Sequence, residues 1–445
     1  MEKNLTFDFL KEADEKFSSE KKNILAMNAV VAGGVEKAAL AYDGERNNRH
    51  TFSIELKNGE ITNQKQSGRC WMFASLNTMR FRVMKNLNLE NFELSQAYPL
   101  FYDKLEKSNY FLESILKTLD EPTNSRLISY LLMGPLGDGG QWDMFCALTD
   151  KYGVVPKDCM PESVSSSATR DITNYLHKKL REYACRLRQA HAAGKAETEL
   201  REMKKGYMEE IYKMLCIAFG KPPVSFTFEV TDKDGKFIRD ENITPKEFFA
   251  KYVKMDLSDY VSLINAPTAD KPYNRTYTVK FLGNVIEGRP VKYLNLTSDE
   301  LKATAIAQMK DGLPVWFGCD VGQRSTRDSG IMDIKAVDVE TLFGTEFTMT
   351  KAERLDYGES LMTHAMVFLG VNLDENGRPN RWKVENSWGD QPGNKGYYVM
   401  SDEWFDEYNY QIVVDKKYLT DEQRAMLAQE PIELEPWDPM GSLAL

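Results

Sequence analysis

Asn63-Gln64-Lys65-Gln66-Ser67-Gly68-Arg69-Cys70-Trp71-Met72-Phe73-Ala74-Ser75 is the stretch from which the rest of this 445-residue chain can be read. Gly68 supplies a turn ahead of Cys70. Beyond it Phe73, Leu76, Val83 and Leu87 recur at near-helical spacing, with Arg80, Arg82 and Lys85 toward the far end. Cys70 therefore opens a helix. Unpaired amides and partial positive charge at a helix N-terminus favour thiolate over thiol, which makes a cysteine there a candidate nucleophile. Gln64, in the preceding loop, can offer its side-chain amide to an oxyanion, and Cys70 its own backbone amide.

A thiol nucleophile needs a base, and the chain has only four histidines. His177 and His191 lie in a charged helical stretch, and His50 sits beside Arg46 and Arg49, where solvent exposure is expected. That leaves His364, at the head of Thr363-His364-Ala365-Met366-Val367-Phe368-Leu369-Gly370-Val371, a run suited to a buried strand. Turn formers follow from Asp374 to Pro379, then a second alternating strand, Arg381-Trp382-Lys383-Val384-Glu385-Asn386-Ser387-Trp388-Gly389. In an antiparallel hairpin facing residues have a constant index sum, so a turn centred near residues 375–377 sets His364 roughly opposite Asn386. Such an Asn fixes one imidazole nitrogen and aims the other at a nucleophile. Taken alone, His364 also reads as a core histidine and Asn386 as a strand-end cap.

The background composition is that of an ordinary globular chain, 42% hydrophobic and 28% charged, long enough for two or three structural units. Residues 1–22 alternate charges with single apolar residues and lack the apolar run of a signal peptide or membrane span, so a cytoplasmic location is expected. Six cysteines without paired spacing argue against a disulfide framework or a zinc site, and the five other than Cys70 are expected to be structural. A net charge of −10 repels phosphates. The basic residues from Lys178 to Lys205 alternate with Glu182, Glu197, Glu199 and Glu202, as on a solvated helix face, and give no strong nucleic-acid signal.

The remainder divides by composition. Helices are expected at about Phe7 to Ser19 and across Tyr98 to Leu132, long Pro-free helices from Ser165 to Ala218, and β-strands such as Tyr277 to Leu282 and Val291 to Leu296 after Pro267. The fold class is α+β.

Gln64 to Ser75, His364 before an apolar strand, and Asn386-Ser387-Trp388-Gly389, in that chain order, together resemble the papain-like cysteine peptidases. Ser67 stands where secreted members carry a disulfide cysteine, which suits a reducing compartment, and Cys70 and His364 are much further apart than in papain. These departures, Ser67-Gly68-Arg69-Cys70-Trp71 and the terminal Pro436-Trp437-Asp438-Pro439-Met440-Gly441-Ser442-Leu443-Ala444-Leu445 resemble the bleomycin hydrolase and aminopeptidase C family over essentially the whole chain.

The resemblance implies a two-lobed papain-like core with an inserted helical domain, assembled as a homohexamer. Its segments would be an N-terminal arm (1–60), a helical lobe with the nucleophile (61–164), an inserted helical or oligomerisation region (165–265), a β-rich lobe with His364 and Asn386 (266–430) and a C-terminal tail in the cleft (431–445). It implies catalysis by Cys70, His364, Asn386 and Gln64 without metal or organic cofactor. The substrates would be peptides with a free N-terminus, met by a Leu445 carboxylate that pairs with their ammonium. The tail, if extended, spans up to roughly 45 Å, so reach is not limiting. Gly139 and Gly140 resemble the segment that pairs with substrate backbone, Gly140 being the direct contact, and Trp388 either shields the His364 to Asn386 bond or is simply a core residue. Alternatives are an open endopeptidase cleft, should the tail stay outside as a frayed terminus, and a catalytically silent scaffold.

Overall fold

The computed structural model describes residues 3–444. Twelve strands among them join in one sheet, and two, Phe226–Thr231 and Phe237–Ile243, form a separate hairpin. The middle of the large sheet runs through Asn409–Asp415, Val315–Cys319, His364–Leu373, Pro379–Glu385 and Tyr397–Ser401. The fold is α+β, as the sequence leads one to expect.

Period-two alternation lets one strand feed two cores. In His364–Leu373, Ala365, Val367 and Leu369 face one core, shared with Trp71, Trp142 and the long helices. Met366, Phe368 and Val371 face the other, which holds Phe317, Trp382, Phe405 and the Ser298–Lys310 helix. There Phe317 stacks on Phe368 at 3.8 Å between centroids, and Phe368 meets Trp382 at 5.0 Å. With both faces covered, this strand reads as a near-continuous apolar run rather than an alternating one.

The helix expected after the Gly68 turn spans Cys70–Leu87 and is buried along most of its length, packed on the first face of the sheet. Trp316 on the sheet donates its indole N–H to the Trp71 carbonyl at 3.3 Å. The helix expected across Tyr98 to Leu132 is two, Ala97–Lys117 and Arg126–Met133, separated by the turn-forming Asp120 to Asn124. The stretch from 165 to 265 carries helices Arg170–Ala192 and Glu197–Phe219, then the Phe226–Ile243 hairpin, helical turns from Pro245 to Val253 and the sheet strand Tyr260–Ile264, so it is not wholly helical. Among the described residues no helix is long and apolar enough to cross a membrane.

Near the C-terminus, Ile432–Leu434 adds to the sheet beside Arg275–Val279, and Pro439–Ala444 follows as a 3-10 turn. Met440 and Leu443 are buried, Tyr293 donates to the Met440 carbonyl at 3.0 Å, and Lys271 pairs with Asp438 at 2.9 Å. A frayed terminus is therefore excluded for the tail through Leu443; Leu445 lies outside the described residues.

Candidate active site

Three segments distant in sequence meet here: the Asn63–Cys70 loop and helix start, the head of the His364 strand, and the Asn386–Gly389 turn. His364 pairs with Cys319 across the sheet. Just ahead of it, Ser360 and Thr363 donate their hydroxyls to the Asp320 carboxylate at 2.8 and 3.1 Å.

The His364 to Asn386 contact is a hydrogen bond of 2.9 Å between Nε2 and Oδ1. Oδ1 also accepts the Ser387 amide at 2.8 Å, which settles which end of the Asn386 side chain faces His364. An amide oxygen only accepts, so Nε2 carries the proton and Nδ1 is left free to take one. The hairpin register differs slightly from a simple count. Val367 pairs with Glu385 and Phe368 with Val384, with bulges further along, so the pairing nearest His364 runs on toward Trp388 rather than Asn386. Accordingly the Trp388 ring lies against the imidazole, 4.8 Å between centroids, while Asn386 reaches it through its side chain.

Cys70 is buried at the first turn of its helix, with its thiol beside backbone groups of Ala365, Trp71 and Cys70 itself. Burial outweighs these amides, which favour the thiolate, and pushes the thiol up to about 11. Burial likewise pulls the His364 imidazole down to about 4 against the Asn386 hydrogen bond. Both shifts favour the neutral pair, thiol and imidazole, over the ion pair.

Gln64 is buried and held at both ends of its amide. Ser387 donates its hydroxyl to Oε1 at 2.6 Å, and Nε2 donates one hydrogen to the Ser67 carbonyl at 2.7 Å, leaving the second free. The Ser67 hydroxyl in turn donates to the Gln64 carbonyl at 2.6 Å and accepts from Arg69 Nε at 2.8 Å, so at this position a hydrogen-bonded serine braces the loop. Backbone bonds from Gln64 to Ser387 at 2.8 Å and from Gly389 to Thr62 at 3.0 Å close the two segments on each other. Ser387 is the residue that motif reading passed over; its signal was only its place beside Asn386.

The Gly137–Gly140 loop is fixed from below. Asp138 pairs with Lys104 at 2.6 Å and accepts the Gly68 amide at 3.0 Å, and Lys104 holds its carboxyl well below the usual range. Trp71 donates to the Asp138 carbonyl at 2.7 Å. A Cβ on Gly140 would lie 2.7 Å from the Trp71 ring, so this glycine answers to Trp71 in the fold itself. The tail comes close as well: Ser442 donates to the carbonyl of Met362, two residues before His364, at 2.8 Å. A cavity of about 300 Å³ borders the tail at Pro436 and Gly441, and Cys70, His364 and Asn386 do not line it.

A peptidase C1-like family model matches residues 4–441. The chain belongs to that family. It is 50% identical over 441 residues to aminopeptidase C of Streptococcus thermophilus, covering 99% of each chain. It is 44% identical over 439 residues to human bleomycin hydrolase, covering 97% of this chain and 96% of that one. The crystal structure of PepW from Lactobacillus rhamnosis HN001 superposes with a TM-score of 0.98 at 49% identity, covering 99% of this chain and all of that one. The helical pair and the hairpin described above lie between Cys70 and His364 in the chain.

Of the other histidines, His50 is half-buried rather than exposed, and His177 bonds the Leu136 carbonyl. Cys146 and Cys319 are buried and all six cysteines are free.

Proposed function

We propose that this chain, a cysteine-type aminopeptidase, carries its chemistry on Cys70, His364, Asn386 and Gln64. The observation that carries the reading is the His364 imidazole, held at Nε2 by Asn386 with Nδ1 left free, while the next residue, Ala365, sets its backbone against the Cys70 thiol at a helix start. As the Cys70 sulfur attacks the peptide carbonyl, its proton passes to His364 Nδ1, and His364 then gives it to the leaving amine. Water activated by His364 releases the N-terminal amino acid from the acyl-enzyme. Gln64 Nε2 and the Cys70 amide hold the oxyanion in both steps.

Selectivity for a free N-terminus rests on the tail. Its docking at Met362 supports a chain end that occupies the cleft beyond the first substrate residue, with the Leu445 carboxylate meeting the substrate ammonium. Gly139 and Gly140 line the substrate backbone, and Trp388 covers the His364 to Asn386 bond. The five segments at 1–60, 61–164, 165–265, 266–430 and 431–445 then serve as arm, nucleophile lobe, insert, His and Asn lobe, and cleft tail.

A homohexamer is supported by the N-terminal helices Phe7–Ser19 and Lys21–Gly33, which bury none of their residues. They leave Phe7 90% and Val31 83% exposed, apolar surface that another copy would cover. A cytoplasmic location accords with the free cysteines.

The test is hydrolysis, in thiol-containing buffer, of a fluorogenic aminoacyl amide beside the same compound with its amino group acetylated. Cleavage of only the free amine is expected; equal cleavage of both would mean an open endopeptidase cleft.

A further inference from the structure

The nucleophile and its His and Asn partners ride on different layers of the molecule, so their alignment depends on what ties the Cys70–Leu87 helix to the strand that ends at Glu385. One ion pair spans that gap. Arg80 on the helix meets Glu385 on the strand, Nη2 to Oε1 at 2.6 Å, with both side chains 2% exposed or less. Burial raises the Glu385 carboxyl while the Arg80 guanidinium opposes it.

The surroundings complete the tie. The second Glu385 oxygen accepts from Asn58 Nδ2 at 2.6 Å, and Arg80 Nη1 donates to the Glu60 carbonyl at 2.7 Å. Both Glu385 oxygens are thus met by named donors, as a buried charge requires, while Arg80 Nε is buried without a partner. Glu385 is followed directly by Asn386, whose side chain holds His364. Arg80 lies ten residues beyond Cys70 on the same helix, roughly 15 Å along its axis at the standard rise, so neither member touches the reacting atoms.

A buried ion pair is a poor source of net stability, because desolvating two charges offsets their attraction. An apolar pair would pack this position as well. What the ion pair adds is direction: a short bond with fixed donor and acceptor geometry between helix and strand.

We propose that Glu385, anchored by Arg80, is a positioning residue for the peptidase reaction, setting the height of Asn386 and hence of His364 relative to Cys70. This rests on the catalytic reading of Asn386 above.

The experiment is a set of variants of the full chain, assayed for kcat and KM on a free aminoacyl amide and for thermal midpoint by calorimetry. Glu385→Gln is expected to lower kcat, by up to about 100-fold for a misplacement near 1 Å, with KM little changed. Because a lone buried Arg80 charge can unfold the protein, Arg80→Met with Glu385→Leu is made as a pair. The double variant should recover the thermal midpoint yet keep the low kcat; recovery of kcat along with the midpoint would reduce the pair to a structural contact and overturn the proposal. The Asn386→Ala background separates this inference from the reading under it. If Asn386→Ala itself costs no activity, the catalytic reading falls. If it does cost activity, Glu385→Gln should add little further loss there, and a full additional loss would overturn the proposal alone.

Discussion

Ser387 donates a hydroxyl hydrogen bond of 2.6 Å to the side-chain carbonyl of Gln64, and in doing so decides which way the Gln64 amide faces. With Oε1 engaged there and one Nε2 hydrogen on Ser67, the remaining hydrogen is the only one left for an oxyanion. Loss of Gln64 itself, as Gln64→Ala, is expected to lower kcat about 100-fold, the range for removing one oxyanion donor. Ser387→Ala removes only a neutral orienting bond, about 1 kcal/mol, and should lower kcat roughly fivefold. Steady-state kinetics on a free aminoacyl amide check the ranking; a Ser387→Ala loss as large as that of Gln64→Ala would contradict it.

The pH profile of kcat should be a wide plateau. The His364 imidazole is pulled down to about 4, so acid removes the base only as pH falls through that value. The Cys70 thiol is pushed up to about 11, so it keeps the proton destined for the leaving amine until pH rises through that value. In kcat/KM a basic limb near 8 is expected instead from the substrate's own α-amino group, whose ordinary value is about 7.7–8.0. Substrates with less basic amines should shift that limb downward, and a limb that ignores the substrate amine would count against ammonium recognition.

Trp388 lies against the His364 ring, and the proposed role for it is to keep water from that ring. Trp388→Ala should admit water and move the acid limb of kcat upward from about 4 toward the ordinary 6.5. An unmoved limb would leave the indole with packing alone.

Deleting Ser442 to Leu445 removes the bond to Met362 and the buried Leu443 side chain. The expected result is a lower rate on free aminoacyl amides together with new cleavage of acetylated ones. The measured quantity is the ratio of the two rates; an unchanged ratio would refute the gating role of the tail.

Local chemistry made much of this molecule legible in its sequence. Gly68 and the spacing after Cys70 marked the start of the helix, and the turn formers from Asp374 to Pro379 brought His364 and Asn386 together within two residues of the true register. The hairpin in the insert was legible too, in Phe226, Phe228 and Val230 alternating before Asp232-Lys233-Asp234-Gly235, but the long helices ahead of it dominated the composition of that stretch. The Ser387 to Gln64 and Arg80 to Glu385 contacts join residues 323 and 305 positions apart. No periodicity encodes such pairs, because they exist only once the sheet and the nucleophile helix have packed. Gly140 shows the converse: its small size was readable, but the neighbour that requires it, the Trp71 ring, was not.

Replacing Cys70 by Ala tests the central claim most directly, since it removes the sulfur and little else from a site whose other contacts do not depend on it. Turnover of a free aminoacyl amide by Cys70→Ala, measured beside the unaltered protein, should fall by at least about 10⁴-fold, as for loss of a nucleophile elsewhere. Retained turnover would contradict the account.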